Sequence, residues 1–214
     1  IIDSKIKNIN IFSSKGICED SVNIVRSKGN INKIEIEKAY SDAIDFDFSD
    51  IILNSLIVKK ANNDCSDFSG GSYDVKSFDL LNCGDKALSI GEFSKVNVDE
   101  LSVNKSNIAI AVKDSSILNL NKTDISEVKY CLAAYNKKNE FNGGLINISS
   151  INCINYFKYQ DVDGFSNILI SGSKIDLKIE ENNEQEIKKN NFIDDFKTFT
   201  SSKIINVVIE IPKG

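Results

Sequence analysis

From about residue 9 to residue 175 the chain repeats one spacing of apolar positions, apolar-x-x-apolar-x-apolar, and Leu53, Leu56 and Val58 are its plainest copy. The triplet returns at Ile31/Ile34/Ile36, Val75/Phe78/Leu80, Val98/Leu101/Val103, Leu120/Thr123/Ile125, Ile148/Ile151/Cys153 and Ile170/Ser173/Ile175. Counted from Ile31, the first members lie 22, 22, 23, 22, 28 and 22 residues apart, and one step backwards lands on Ile9 with Phe12 in the second place. Self-similarity at a nearly fixed period is the signature of a solenoid, here of about eight coils. Ankyrin and tetratricopeptide units need helical patterning at about 33 to 34 residues, and leucine-rich repeats need a fixed Asn that is absent. The pattern predicts an all-β chain, a right-handed parallel β-helix whose coils stack about 4.8 Å apart into a rod on the order of 40 Å long.

The repeat fades after Ile175, so residues 1–175 read as the solenoid and 176–214 as a C-terminal cap within the same unit. In the cap, Asn183 opens a helix that places Ile187, Ile193, Phe196 and Phe199 on one face, and residues 202–212 form a strand stopped by Pro212. An open solenoid end exposes core and strand edges, which is the physical reason to expect a cap.

Between successive triplets runs a second, more variable segment. Asp20, Asp42, Asp64 and Asp85 hold one position in it, which turn chemistry explains, because Asp accepts from neighbouring backbone N–H groups. Beyond that turn, strand alternation sends Ile44, Phe46, Phe48, Phe68, Leu88, Ile90, Ile108, Ile110, Val112, Leu132 and Ala134 inward. The opposite face reads Asp45, Asp47, Asp67 and Ser69, then Ser89, Gly91, Ala109 and Ala111, then Lys113, Ala133, Tyr135 and Lys137. Small residues in its middle predict an open floor, acidic at one end and basic at the other. The single break in the period, the 28-residue step, falls in residues 136–144 beside this face. Such an insertion either forms a binding wall, with Gly143 and Gly144 bending it back, or is a tolerated surface loop.

Composition narrows the chemistry. A net charge of −5 with 27% charged residues of both signs shows no bulk preference for nucleic acid or an anionic membrane, and no run of 18 apolar residues predicts membrane insertion. The chain starts at Ile1, has no Met and begins without the blocks of a signal peptide, so it reads as a processed chain or a piece of a larger protein with further domains. With no His, imidazole catalysis and His metal sites are excluded. The five cysteines, Cys18, Cys65, Cys83, Cys131 and Cys153, form no CxxC pair and are expected as free thiols packed like small hydrophobes, not as a disulfide framework.

Two chemistries remain for the polar face. In a polysaccharide lyase, acidic residues hold Ca²⁺ against a uronate while Lys or Tyr abstracts the α-proton. In a glycosidase, two carboxylates flank the scissile bond. The candidate catalytic residues are Asp67, Lys113, Tyr135 and Lys137, with Asp45, Asp67 and Asp85 as Ca²⁺ ligands. Asp45, Asp47, Ser69, Asp85, Lys86, Ser89, Glu92, Asp114 and Lys138 are candidates for binding substrate.

The segments NDCSDFSGGSYDV, CGDKALSIGEFSKVNV, IAIAVKDSSIL and AAYNKKNEFNGG resemble bacterial right-handed parallel β-helix domains of the pectate-lyase-like superfamily, including those that accompany CotH-type proteins. The resemblance spans roughly residues 9–175 and implies the fold and a loose association with carbohydrate. The expected setting is the cell envelope or the outside of the cell. The central coils lack an Arg for a pectin-lyase base and a His for a polygalacturonase site. The expected function is a module that binds or processes a polysaccharide along one face. The alternatives are a non-catalytic structural or adhesion module of a larger surface protein, and a lyase or hydrolase using Asp, Lys and Tyr.

Overall fold

The computed structural model describes residues 1–171, and they form an all-β parallel solenoid of about eight coils with no helix among them. The expected cap, residues 176–214, lies outside the described residues. Ten strands follow one another: β1 (Lys5–Ser13), β2 (Asp20–Val25), β3 (Lys28–Ile36), β4 (Asp42–Val58), β5 (Asp67–Leu81), β6 (Lys86–Gly91), β7 (Lys95–Lys113), β8 (Ile117–Tyr135), β9 (Leu145–Val162) and β10 (Asn167–Ile170).

Every first member of the apolar triplet is the backbone partner of the next one. Ile9 pairs with Ile31, Ile31 with Leu53, Leu53 with Val75, Val75 with Val98, Val98 with Leu120, Leu120 with Ile148 and Ile148 with Ile170. The 28-residue step is therefore absorbed as a loop without disturbing the register. The two-residue gap inside the triplet is a bend. Leu53 and Leu56 are both buried, whereas Asn54 and Ser55 between them face outward, so the chain turns a corner there. A second corner carries a left-handed residue in each of five successive coils: Arg26, Phe48, Gly70, Glu92 and Asp114, with φ between 47° and 65°. This corner breaks strand alternation. Phe48, expected inside with Ile44 and Phe46, is thrown outward and is exposed.

The corner's interior is tied by a ladder of hydroxyls. The buried backbone N–H of Ser27 donates to Ser49 Oγ (2.9 Å), that of Ser94 to Ser116 Oγ (3.1 Å) and that of Gly144 to Ser166 Oγ (2.9 Å), each reaching the next coil. The equivalent position after Ser49 is Gly71, which has no hydroxyl, and the phenol of Tyr73 substitutes for it. Tyr73 accepts from the Ser49 N–H (3.3 Å) and donates to the Gly70 carbonyl (2.6 Å). Its ring completes an aromatic stack with Phe46 and Phe68, whose centroids are 5.5 Å apart. Buried donors and acceptors are thus satisfied where a coil with apolar filling alone would orphan them.

The cysteines correct the free-thiol expectation. Cys65 is bonded to Cys83 and Cys131 to Cys153, leaving only Cys18 free and exposed. Spacing alone hides these pairs, because residues 18 and 22 apart in sequence meet only once the chain has wound a coil, which brings the Cα atoms to 5.4 and 6.5 Å. Cys65 also belongs to a buried row of small residues, Ala43, Cys65, Ala87, Ala109 and Cys131, at 22-residue steps. In this row an extra residue turns inward beside Ile44, Leu88, Ile110 and Leu132, and only a small side chain fits.

Candidate functional site

Parallel register stacks the candidate residues into two columns on the outer face of the variable segment. One runs Asn23, Asp45, Asp67, Ser89, Ala111, Ala133 and Asp161. The other runs Val25, Asp47, Ser69 and Gly91, and in the later coils it continues as Lys113 and Tyr135. The structure therefore brings Asp45, Asp47, Asp67, Ser69 and Ser89 together across three coils, with Lys113 and Tyr135 beyond them.

The acidic end is crowded. Burial first, then the carboxylates of Asp47, Asp67, Asp20 and Asp42, push Asp45 from 3.8 up to about 7. Burial and the neighbouring acids displace Asp42 and Asp47 upward as well, and Glu92 is among the charges acting on Asp47. Asn23 relieves part of this by donating from Nδ2 to Asp45 (3.1 Å) and Asp20 (3.3 Å). Asp67 Oδ1 is buried without a hydrogen-bond partner among the described residues. The expected turn role of the Asp row is visible here: Asp42 Oδ1 accepts from the Asp64 N–H and Asp64 Oδ1 from the Lys86 N–H, both at 2.9 Å. Asp85 stands at that corner bonded to Lys86, apart from the Asp45–Asp67 column. Among the described residues no three His, Cys, Asp or Glu side chains converge to hold a metal ion.

The middle of the face is filled. Lys86, Lys113 and Tyr135 are only 3%, 7% and 3% exposed, and the last two lie against the small residues that were expected to leave an open floor. Lys113 donates to Ser89 Oγ (3.1 Å), and its aliphatic chain rests on Gly91, where a Cβ would come within 3.0 Å of Lys113 Cε. Ile108, Ala111, Ala133, Tyr135 and Tyr130 form an apolar cluster separate from the main core. Burial draws the Lys86 ammonium down, but the carboxylates of Asp64 and Asp85 outweigh it and hold the group above its ordinary range. Asp64 is pushed up to about 7 by its own burial, which outweighs the pull of Lys86 at 3.8 Å, with the carboxylates of Asp67 and Asp85 adding to the rise.

The insertion, residues 136–144, folds back against the preceding coils. Asp114, fully buried, accepts the backbone N–H groups of Lys137 and Lys138 on Oδ1, both at 2.8 Å, so this candidate holds the loop. Lys138 reaches back to pair with Glu92, and Phe141 packs edge-on against Phe93 at 4.9 Å. Lys137 is half-buried on the same loop. Gly143 and Gly144 matter through close approach: a Cβ on either would fall 2.2 Å from Ser166 Oγ or the Val112 carbonyl oxygen.

Beside the acidic columns the left-handed corner presents aromatic rings outward. Phe48 is 60% and Phe93 66% exposed, with Phe141 against the latter. The signal was present in the sequence as Phe48 and Phe93, 45 residues or two coils apart. Strict alternation placed the first of them inside and so concealed it. Comparison of the chain with protein-family models, with curated proteins and with solved structures gave no match.

Proposed function

We propose that this chain is a glycan-binding solenoid module of the pectate-lyase-like kind, working at a cell envelope or outside the cell, and that the sugar chain lies along the acidic columns against the aromatic corner. The observation that supports this most is the pairing of two exposed rings, Phe48 and Phe93, the latter backed by the half-buried Phe141, with carboxylates one residue away, at Asp47 and Glu92. A pyranose is amphipathic in the same sense. Its C–H face packs on a ring while its hydroxyls donate to carboxylates. Two disulfides are consistent with an oxidising compartment.

One feature favours a catalytic version of the reading. Asp45 holds its proton to about pH 7 beside Asp67, its partner in register, and a protonated carboxyl next to a second carboxyl is what glycoside hydrolysis employs.

The test is calorimetric titration of the whole chain with a panel of soluble polysaccharides, with and without a chelator, followed by assay for new reducing or unsaturated ends. Phe93→Ala should weaken binding by about tenfold, as loss of one aromatic contact implies. Asp67→Asn should weaken binding in a pure binder and abolish product formation in an enzyme. Loss of binding on chelation that is absent in Asp67→Asn would favour Ca²⁺ held between Asp45 and Asp67. If no glycan binds, the chain is a structural or adhesion module and the proposal fails.

A further inference from the structure

The sequence holds one Asn-Gly pair, Asn142–Gly143, and every other asparagine is followed by a residue that carries a side chain. The pair lies in the loop of residues 136–144, the departure from the coil period, and Asn142 is exposed there. Its side-chain amide makes no hydrogen bond among the described residues, and neither does the backbone N–H of Gly143. Amides elsewhere on the solenoid are held. Asn97, Asn119 and Asn147 donate in a row to Asp74, Asn97 and Asn119, and Asn121 donates to Asp99, while the residue after each of the four lies inside a strand.

The side-chain amide of Asn142 and the N–H that follows it are the reactants of an intramolecular displacement. When hydroxide or water takes the Gly143 amide proton, the nitrogen attacks Asn142 Cγ: the N–Cγ bond forms, the Cγ–Nδ2 bond breaks and ammonia leaves, closing a cyclic imide. Water then opens the ring. Attack at Cγ gives aspartate, and attack at the main-chain carbonyl carbon gives isoaspartate, in which the chain runs through Cβ and gains a methylene. The net change is loss of ammonia and uptake of water, and it adds a negative charge. A side chain at residue 143 would shield the nitrogen, and packing forbids one, because a Cβ there would lie 2.2 Å from Ser166 Oγ and 2.3 Å from the Phe165 carbonyl oxygen. The glycine that lets the loop close against the next coil therefore also leaves Asn142 open to attack.

We propose that Asn142–Gly143 is a self-modifying site whose conversion to isoaspartate releases the loop from the aromatic corner. The loop is pinned on both sides of the reacting bond. Asn142 exchanges two hydrogen bonds with Ser115, its N–H donating to Ser115 Oγ and its carbonyl accepting from the Ser115 N–H, both at 2.8 Å. Gly144 donates to Ser166 Oγ (2.9 Å) and has no room for a Cβ beside the Val112 carbonyl oxygen, 2.2 Å away. Isoaspartate turns the Asn142 carbonyl into a free carboxylate and lengthens the chain between these two anchors, so both sets of contacts cannot be kept. The more exposed contacts of the loop give way, namely the Lys138–Glu92 ion pair and the packing of Phe141 on Phe93. The coils themselves stay paired, Leu120 with Ile148 across the insertion.

The experiment incubates the whole folded chain at mildly alkaline pH beside a reduced and denatured sample, and follows both by peptide mass spectrometry and by labelling with an isoaspartyl methyltransferase. In the folded chain the peptide holding Asn142 should gain the mass of oxygen in place of NH and should take up the methyl label, and Asn142→Gln should show neither change. Trypsin then reads the loop at Lys137 and Lys138. The converted protein should be cut there several-fold faster than fresh protein, with no rise in cutting at the lysines of the coils. Asn142→Asp carries the new charge without the added methylene, keeps both hydrogen bonds to Ser115 and should be cut like fresh wild type. Asn142 that stays intact in the folded chain, whether or not the denatured chain converts, overturns the site. Conversion with no faster cutting, cutting that rises as much in the coils, or equally fast cutting of Asn142→Asp overturns release by the lengthened backbone.

Discussion

Replacing Asp45 by Asn should stabilise the fold, and should do so only once the pH is high enough to ionise the unfolded chain. The Asp45 carboxyl is partly buried, faces Asp47, Asp67, Asp20 and Asp42, and is pushed from 3.8 up to about 7. The unfolded chain gives up this proton near pH 4, whereas the native state keeps it to about pH 7. Between those values the native state binds more protons, so stability falls as pH rises through that window and levels off above it. About three pH units at about 1.36 kcal/mol each set a ceiling near 4 kcal/mol, and water reaching the partly exposed group screens this to about 1–2 kcal/mol. Asparagine keeps the shape and can still accept from Asn23 Nδ2, now 3.1 Å from Asp45 Oδ2. Urea unfolding of both proteins near pH 4, 6 and 8 reads the effect directly as the difference in midpoint times slope. The variant should match wild type near pH 4 and lead it by about 1–2 kcal/mol near pH 8. A lead that is the same at both ends, or a variant less stable near pH 8, would refute the reasoning, because only a displaced titration makes the gain depend on pH.

Three further outcomes follow from the interior. Opening the Cys131–Cys153 bridge by Cys131→Ser should cost about 3 kcal/mol, the chain-entropy value for a loop of this length, and in thermal melts reductant, which also opens Cys65–Cys83, should lower wild type by more than it lowers the variant, the two reduced proteins then melting together. Tyr73→Phe removes the acceptor of the Ser49 N–H and the donor to the Gly70 carbonyl, so a loss of about 1–3 kcal/mol is expected in denaturant titration, against almost none if the hydroxyl ladder were ornamental. Thr123 occupies an apolar repeat position, fully buried, with its hydroxyl unpartnered among the described residues, and Thr123→Val should therefore raise stability by about 1 kcal/mol in the same assay.

The solenoid was legible in the sequence because a parallel coil asks the same thing of every copy. A residue such as Leu53 is stacked on Ile31 and under Val75, all three face one narrow interior, and all three must be apolar. Periodicity therefore fixed the coil number, the pairing and the place of the insertion without any other information. What it could not fix are the features that depend on departures from regular geometry or on meetings between different positions in the coil. Phe48 left the core because a left-handed corner resets alternation, and no periodic rule marks that residue as different from Phe46. The cysteine pairs join unlike positions, brought within reach only when the coil has closed. Tyr73 supplies a hydroxyl for Gly71, a substitution visible only where two side chains share one space. The floor read as open from Ser, Gly and Ala was closed by the long chain of Lys113 and the ring of Tyr135, because small residues beside long ones are where long ones come to rest. Sequence determined the column in which each side chain stands, and tertiary structure decided which of them are exposed, because only the wound coil sets the corner that turns Phe48 and Phe93 outward and the packing that buries Lys86, Lys113 and Tyr135.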